Sequence, residues 1–168
     1  LIKKYGIYNV MDLPIFIFPG SSNQVTVHCN FLLYLTLLSG RNPQYLISEH
    51  VKSAPRIYSS NIETISTGYI LLQSNKRTSV EIISNTLPLP MDKHDIILAH
   101  ALAGELLGNK LVFLETGSGA KEHATCEIIS IISKEIQIPI IVGGGVDSAV
   151  SAKNLALSGA GYIVTGTQ

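Results

Sequence analysis

Charge is scarce in this sequence. Only 14% of its 168 residues are Asp, Glu, Lys or Arg, and the 12 acids balance the 12 bases. A chain without basic excess has no electrostatic footprint for nucleic acid, and an anionic ligand would have to be held by local geometry. Cysteine is also scarce. Cys29 and Cys126 stand far apart and in no metal-like spacing, so they read as reduced, buried thiols of a cytoplasmic protein, with no disulfide expected. The five histidines, at 28, 50, 94, 100 and 123, match no metal spacing either. No apolar run approaches the roughly 18 residues of a membrane span, and no leader peptide is recognisable. What the chain has is apolar residues, 46% of the total, which excludes disorder and suits a buried parallel sheet.

The most informative stretch is Lys110-Leu-Val-Phe-Leu-Glu-Thr-Gly-Ser-Gly-Ala120. Residues 111–114 are apolar without alternation, as in a strand buried on both faces of a parallel sheet. The run stops at a carboxylate, Glu115, and a small-residue turn, the place where α/β folds put their chemistry. Further strands are expected at 13–18, 45–47, 68–72 (within the stretch 65–73), 138–142 and 161–164, six in all. Helices are expected at 25–38, capped by Ser22 or Asn23, at 49–58 with an interruption at Pro55, at 92–107, at 127–136 and at 148–158. Residues 1–8 read as the tail of a helix stopped by Gly6. Residues 86–90 are extended, because Pro88 and Pro90 forbid a helix. Strands alternating with helices form βαβ units. Two closures fit: an open doubly wound sheet, or a (β/α)8 barrel present as about six of its units. In either case residues 1–168 form one domain.

Strand after strand ends in small residues. Gly143-Gly144-Gly145 and Thr165-Gly166-Thr167 follow consecutive strands, and in barrels the loops after strands seven and eight commonly build a phosphate site with a helix N-terminus. Glycine leaves the backbone N–H groups open to an anion, and the helix dipole adds favourable partial charge. Three consecutive glycines cost backbone entropy, so structural need alone seldom explains them. The plain alternative is a tight strand-to-helix turn. Glu115, delivered to the same face, could accept a proton from a hydroxyl or stabilise a developing cation, and Ser118 and Gly119 could add donors. Tyr69 is equally a core residue or a ligand contact. Arg41 and Asn42 read as a solvated turn.

Taken in order, Phe18-Pro19-Gly20, Ser39-Gly40-Arg41-Asn42-Pro43, Thr67-Gly68-Tyr69-Ile70, the 110–120 stretch, Ile141 to Val146 and Ile163 to Thr167 resemble the geranylgeranylglyceryl phosphate synthase family, which includes the heptaprenylglyceryl phosphate synthases. The resemblance covers the chain from about Leu13 onward. It implies a modified TIM barrel and a Mg²⁺-dependent transfer in ether-lipid biosynthesis. The 3-hydroxyl of sn-glycerol 1-phosphate would attack C1 of a polyprenyl diphosphate, geranylgeranyl diphosphate being favoured, and diphosphate would leave.

By motif position, Phe113, Leu114, Glu115, Thr116, Gly117, Ser118, Gly119, Gly143, Gly144, Gly145, Gly166 and Thr167 would bind glycerol phosphate. Glu115 would be the catalytic residue, and Tyr69 would lie beside the prenyl groove. Phe113 stands where members usually carry tyrosine, and Gly161 replaces a common acidic residue. The family's first two strands, with its Mg²⁺-binding aspartate, are not matched, so the metal ligands are expected outside these 168 residues and the chain alone is expected to be inactive. A homo-oligomer and peripheral membrane contact for the lipid substrate are implied as well. The rivals are another phosphate-binding barrel enzyme of amino-acid or cofactor biosynthesis, and a non-catalytic remnant that binds a phosphorylated ligand.

Overall fold

The computed structural model describes residues 13–166. The expected helix tail at 1–8 and Thr167 lie outside them. Six strands lie side by side in sequence order and all pair in parallel: β1 (Phe16–Ile17), β2 (Phe31–Leu37), β3 (Glu63–Leu71), β4 (Leu111–Glu115), β5 (Ile140–Gly143) and β6 (Tyr162–Val164). A doubly wound sheet reverses its strand order at a switch point. This sheet has no reversal, and it is the arc of a (β/α)8 barrel, with β1 and β6 unpaired with each other among the described residues.

Register assigns the two faces. Leu37, Tyr69, Phe113 and Ile141 share one row across β2 to β5, and Leu71, Glu115, Gly143 and Val164 form a row nearer the C-terminal edge. These rows face the barrel interior, where Leu33, Leu111, Phe113 and Ile141 pack with Tyr69, Leu35, Ile65 and Val164. The alternate residues, among them Ile70, Val112, Leu114, Ile140 and Val142, face the helices. Because period-2 alternation buries both faces, β4 reads as an unbroken apolar run.

The helices are α1 (Glu49–Ser60), α2 (Ser79–Ser84), α3 (His94–Leu106), α4 (Cys126–Glu135) and α5 (Ala149–Leu157). Caps start the last two: Thr125 accepts from the N–H of Ile128 at 3.2 Å, and Ser148 from that of Ser151 at 3.1 Å. On the buried side of α4, Ile128, Ile129 and Ile132 are fully enclosed, and Leu155 of α5 joins them. Truncating any one of these to alanine costs about 2–5 kcal/mol. Between α3 and β3 the approach is closer still. A Cβ on Gly68 would stand 2.5 Å from Leu38 Cδ1, and one on Gly104 2.8 Å from the same atom.

Several expectations are overturned. Residues 25–38 do not form a helix. They hold a 3₁₀ turn at Ser22–Gln24, a loop, and strand β2, whose leucine-rich run pairs on both sides with β1 and β3. The expected strand at 45–47 is a π-helical turn, Gln44–Ser48, that leads into α1. The two errors cancel in the count of six. Pro55 sits inside α1 without ending it, and the first strand is shorter than 13–18. Helix α2 was not anticipated. Its signal was a Thr78–Glu81 capping pattern, and Thr78 accepts from the N–H of Glu81 at 3.4 Å.

Candidate active site

The C-terminal edge of the sheet carries the site. Glu115, the last residue of β4, turns inward between Leu71 and Gly143 and is only 8% exposed. Its Oε1 accepts from the Gly117 N–H at 2.7 Å. Burial pushes its carboxyl above the ordinary carboxylate range, and the Gly117 N–H partly opposes this. The result is a carboxylate more basic than usual, held in one orientation. Tyr69 lies one row deeper. Burial raises its hydroxyl well above the ordinary tyrosine value, and the Glu115 charge adds to the effect, so it stays neutral. The Phe113 ring is fully enclosed, 5.3 Å from the Tyr69 ring and 5.9 Å from Phe18 of the β1–β2 loop.

The glycine run is tied to this carboxylate by contact. A Cβ on Gly143 would come within 2.7 Å of Glu115 Oε2 and of the Phe113 ring. On Gly144, at φ +81°, it would stand 2.3 Å from Thr116 Oγ1 and 2.7 Å from Glu115 Oε1. On Gly145, at φ +66°, it would run into the backbone of Glu122 at 2.4 Å. Backbone conformation and close backbone neighbours therefore favour glycine at 144 and 145, while at 143 a side chain would displace Glu115 and Phe113. The same closeness leaves donors open. Among the described residues, the N–H groups of Ser118, Gly119, Gly144 and Gly145 make no hydrogen bond. Unfilled amides grouped at one sheet edge are the kind of donors that an anion-binding concavity uses.

A cavity of about 1010 Å³ joins these parts. Glu115, Ser118, Gly119, Gly144, Gly145, Gly166 and Tyr69 line it. Val80 and Ile83 of α2 cover one side, and Thr78 packs against Gly117, where a Cβ would meet Thr78 Cγ2 at 2.2 Å. A smaller hollow beside it, at the start of α5, is bounded by Val146, Asp147, Ser148 and Gly166.

Most of the residues singled out in the sequence thus converge. Leu114 does not. Its side chain points to the helix side and is fully buried in that core. Thr116 is also fully buried, its hydroxyl without a hydrogen-bond partner among the described residues. Phe18, Thr78 and the α2 residues belong to the site and were not singled out as such, although Phe18-Pro19-Gly20 was a visible motif. Among the described residues no three His, Cys, Asp or Glu side chains converge as metal ligands would.

The chain as a whole is similar to known proteins. A geranylgeranylglyceryl phosphate synthase of Chitinophaga pinensis is 48% identical over 155 residues, 92% of this chain and 62% of that protein. One from Flavobacterium johnsoniae is also 48% identical, over 92% of this chain and 64% of its own length. The crystal structure of (S)-3-O-geranylgeranylglyceryl phosphate synthase from Thermoplasma acidophilum in complex with substrate sn-glycerol-1-phosphate superposes with a TM-score of 0.90 at 33% identity. That match covers 97% of this chain and 65% of the other. The chain thus spans somewhat less than two thirds of the length of these relatives. The PcrB family matches residues 2–168, through the β4 strand end and both glycine loops, and the chain belongs to that family.

Proposed function

We propose that this chain forms the glycerol-phosphate half of a prenyltransferase that joins a polyprenyl diphosphate, geranylgeranyl diphosphate by preference, to the 3-hydroxyl of sn-glycerol 1-phosphate in ether-lipid biosynthesis. One observation carries this function: an inward carboxylate with raised proton affinity stands between two loops whose amides are open. The phosphate would take the N–H groups of Ser118, Gly119, Gly144, Gly145 and Gly166; Thr167, assigned to the same ligand by motif position, lies outside the described residues. The glycerol 3-hydroxyl would then meet Glu115. As its oxygen bonds to C1 of the prenyl group, the C1–O bond to diphosphate breaks and the hydroxyl proton passes to Glu115. The rings of Phe18 and Tyr69, which line the cavity, would offer π faces to the allylic carbon as it becomes positive. Fixed dipoles aimed at the developing charges serve that charge separation better than solvent would.

Mg²⁺ would assist departure of the diphosphate. The described residues do not fit such an ion, since no acidic cluster is present among them. Its ligands are assigned to the part of the protein outside residues 13–166. The exposed apolar residues Ile82, Ile83 and Leu87 lie on α2 and just beyond it, and Ile83 also lines the cavity, which supports peripheral contact with a membrane surface as the source of the lipid substrate. The exposed Ile96 and Leu106 of α3, with Leu107 just beyond it, support a homo-oligomer. No helix among the described residues is long and apolar enough to cross a membrane, and a cytoplasmic location accords with that.

The test is to incubate the protein at its full natural length with radiolabelled sn-glycerol 1-phosphate, geranylgeranyl diphosphate and Mg²⁺. Label in an organic-extractable product is expected. A thermal shift with sn-glycerol 1-phosphate but no transfer would leave only phosphate binding.

A further inference from the structure

The cavity meets an anionic ligand with charge of the same sign. Glu49, Glu115 and Asp147 line it, and among the described residues no Lys or Arg does. A phosphate monoester held by the amides of Ser118 and Gly119 would carry close to two negative charges at pH 7, because its second pKa is about 6. Neutral N–H donors orient such a group and contribute only partial charge against it. A cation at the rim of the cavity would offset the rest.

The loop from β3 to α2 supplies one. It is pinned at both ends. The Leu72 N–H donates to the Glu115 carbonyl at 2.8 Å, and the Gln73 N–H to the Leu89 carbonyl at 2.8 Å. At the other end Thr78 is buried, packs on Gly117 and caps α2. In between, the Ser74 hydroxyl donates to the Lys76 carbonyl at 2.7 Å. This backbone carries Lys76 over the 117–119 turn. Its Nζ lies 3.8 Å from where a Cβ on Gly119 would stand. The adjacent cation is engaged elsewhere, since Arg77 Nε lies 3.6 Å from Glu81 Oε1 on α2. The Lys76 ammonium has no hydrogen bond or ion pair among the described residues.

Resting on the glycerol-phosphate placement above, we propose that Lys76 neutralises the phosphate, reaching over it from the β3–α2 loop while the amides of Ser118 and Gly119 hold it from the sheet edge. A phosphate oxygen that accepts from the Gly119 N–H comes within reach of an ammonium on a flexible four-carbon stem. The hydrogen bond formed is charge-assisted and stronger than one between neutral groups. It also offsets the repulsion that Glu115 and Asp147 exert on the incoming anion. Lys76 therefore acts on binding of the acceptor substrate and not on the chemical step.

The experiment measures steady-state kinetics, and calorimetric affinity for sn-glycerol 1-phosphate, in the protein at its full natural length, in Lys76→Met and in Lys76→Arg. Lys76 is exposed, so neither change disturbs the core. Lys76→Met is expected to raise both KM and Kd for sn-glycerol 1-phosphate about tenfold at low salt. Its kcat and its KM for geranylgeranyl diphosphate should stay within about twofold of the wild type. In about 1 M NaCl, where charges are screened beyond about 3 Å, the gap should shrink to about threefold. Lys76→Arg, which keeps the charge, should stay within about threefold of the wild type. Unchanged affinity in Lys76→Met, a loss that Lys76→Arg does not restore, or a rise confined to the KM of the prenyl diphosphate overturns the role of Lys76. Absence of transfer by the wild type overturns the prenyl-transfer function instead, and the calorimetric Kd values then decide the role of Lys76.

Discussion

Replacing Glu115 by glutamine separates the chemical role of this side chain from its structural one. Gln fills the same space, and its carbonyl oxygen can keep the 2.7 Å bond from the Gly117 N–H. What is lost is the charge and the proton affinity. A positioned acid–base group contributes about 10²–10⁴ in rate, so kcat should fall by that factor, about 3–5 kcal/mol of barrier, while affinity for sn-glycerol 1-phosphate changes little. Stability should move the other way. Because burial raises the carboxyl above its unfolded value, the native state favours the protonated form. The resulting contribution is full below the unfolded value near 4.5 and is lost as pH rises through the folded one. Glu115→Gln, which does not titrate, should therefore be as stable as the wild type or more so at pH 8, with any advantage shrinking toward pH 4. Steady-state kinetics with saturating prenyl donor, paired with urea unfolding at both pH values, reads both effects. A variant with near-normal kcat, or one that loses stability at pH 8, would refute this assignment.

Three further outcomes follow from the packing. Gly144→Ala places a methyl 2.3 Å from Thr116 Oγ1 at φ +81° and should cost about 2–4 kcal/mol in urea unfolding; loss of ligand affinity in a stably folded variant would deny the packing role. Gly68→Ala should cost about 1–3 kcal/mol, and a Leu38→Ala background should remove part of that penalty, because Leu38 Cδ1 is the atom struck; strict additivity in the double-mutant cycle would contradict it. Glu49 accepts from the Ser22 N–H at 2.6 Å and from Lys52 at 2.9 Å, and these contacts lower its carboxyl to about 2 from 4.5. A lowered value stabilises the fold above pH 4.5 and is lost between 4.5 and 2, so Glu49→Gln should be clearly less stable than the wild type at pH 7 and nearly equal to it at pH 2. A constant gap across that window would remove the assignment.

What was legible in the sequence depended on burial. The strands at Leu111–Glu115 and Ile140–Gly143 are enclosed on both faces, so their apolar runs were unmistakable. The helices at Cys126–Glu135 and Ala149–Leu157 were legible as well, and their caps at Thr125 and Ser148 act through neighbours only three residues away. Strand β2 was misread because Phe-Leu-Leu-Tyr-Leu-Thr-Leu is rich in a good helix former and shows no alternation. Its pairing with β1 and β3, distant in sequence, decides its conformation, and no local pattern carries that information. The site was legible in type but not in cause. Glu115 and the glycines stood out, yet the requirement for glycine comes from side chains and backbone on other segments, Thr116, Phe113 and Glu122.

A crystal structure of the chain with sn-glycerol 1-phosphate tests most directly whether β4, β5 and β6 build one site. The phosphate should lie on the amides of Ser118, Gly119, Gly144 and Gly145, with the 3-hydroxyl within hydrogen-bond distance of a Glu115 oxygen. A phosphate bound away from these loops, or a glycerol whose hydroxyl faces solvent while Glu115 stays on Gly117 alone, would contradict the account.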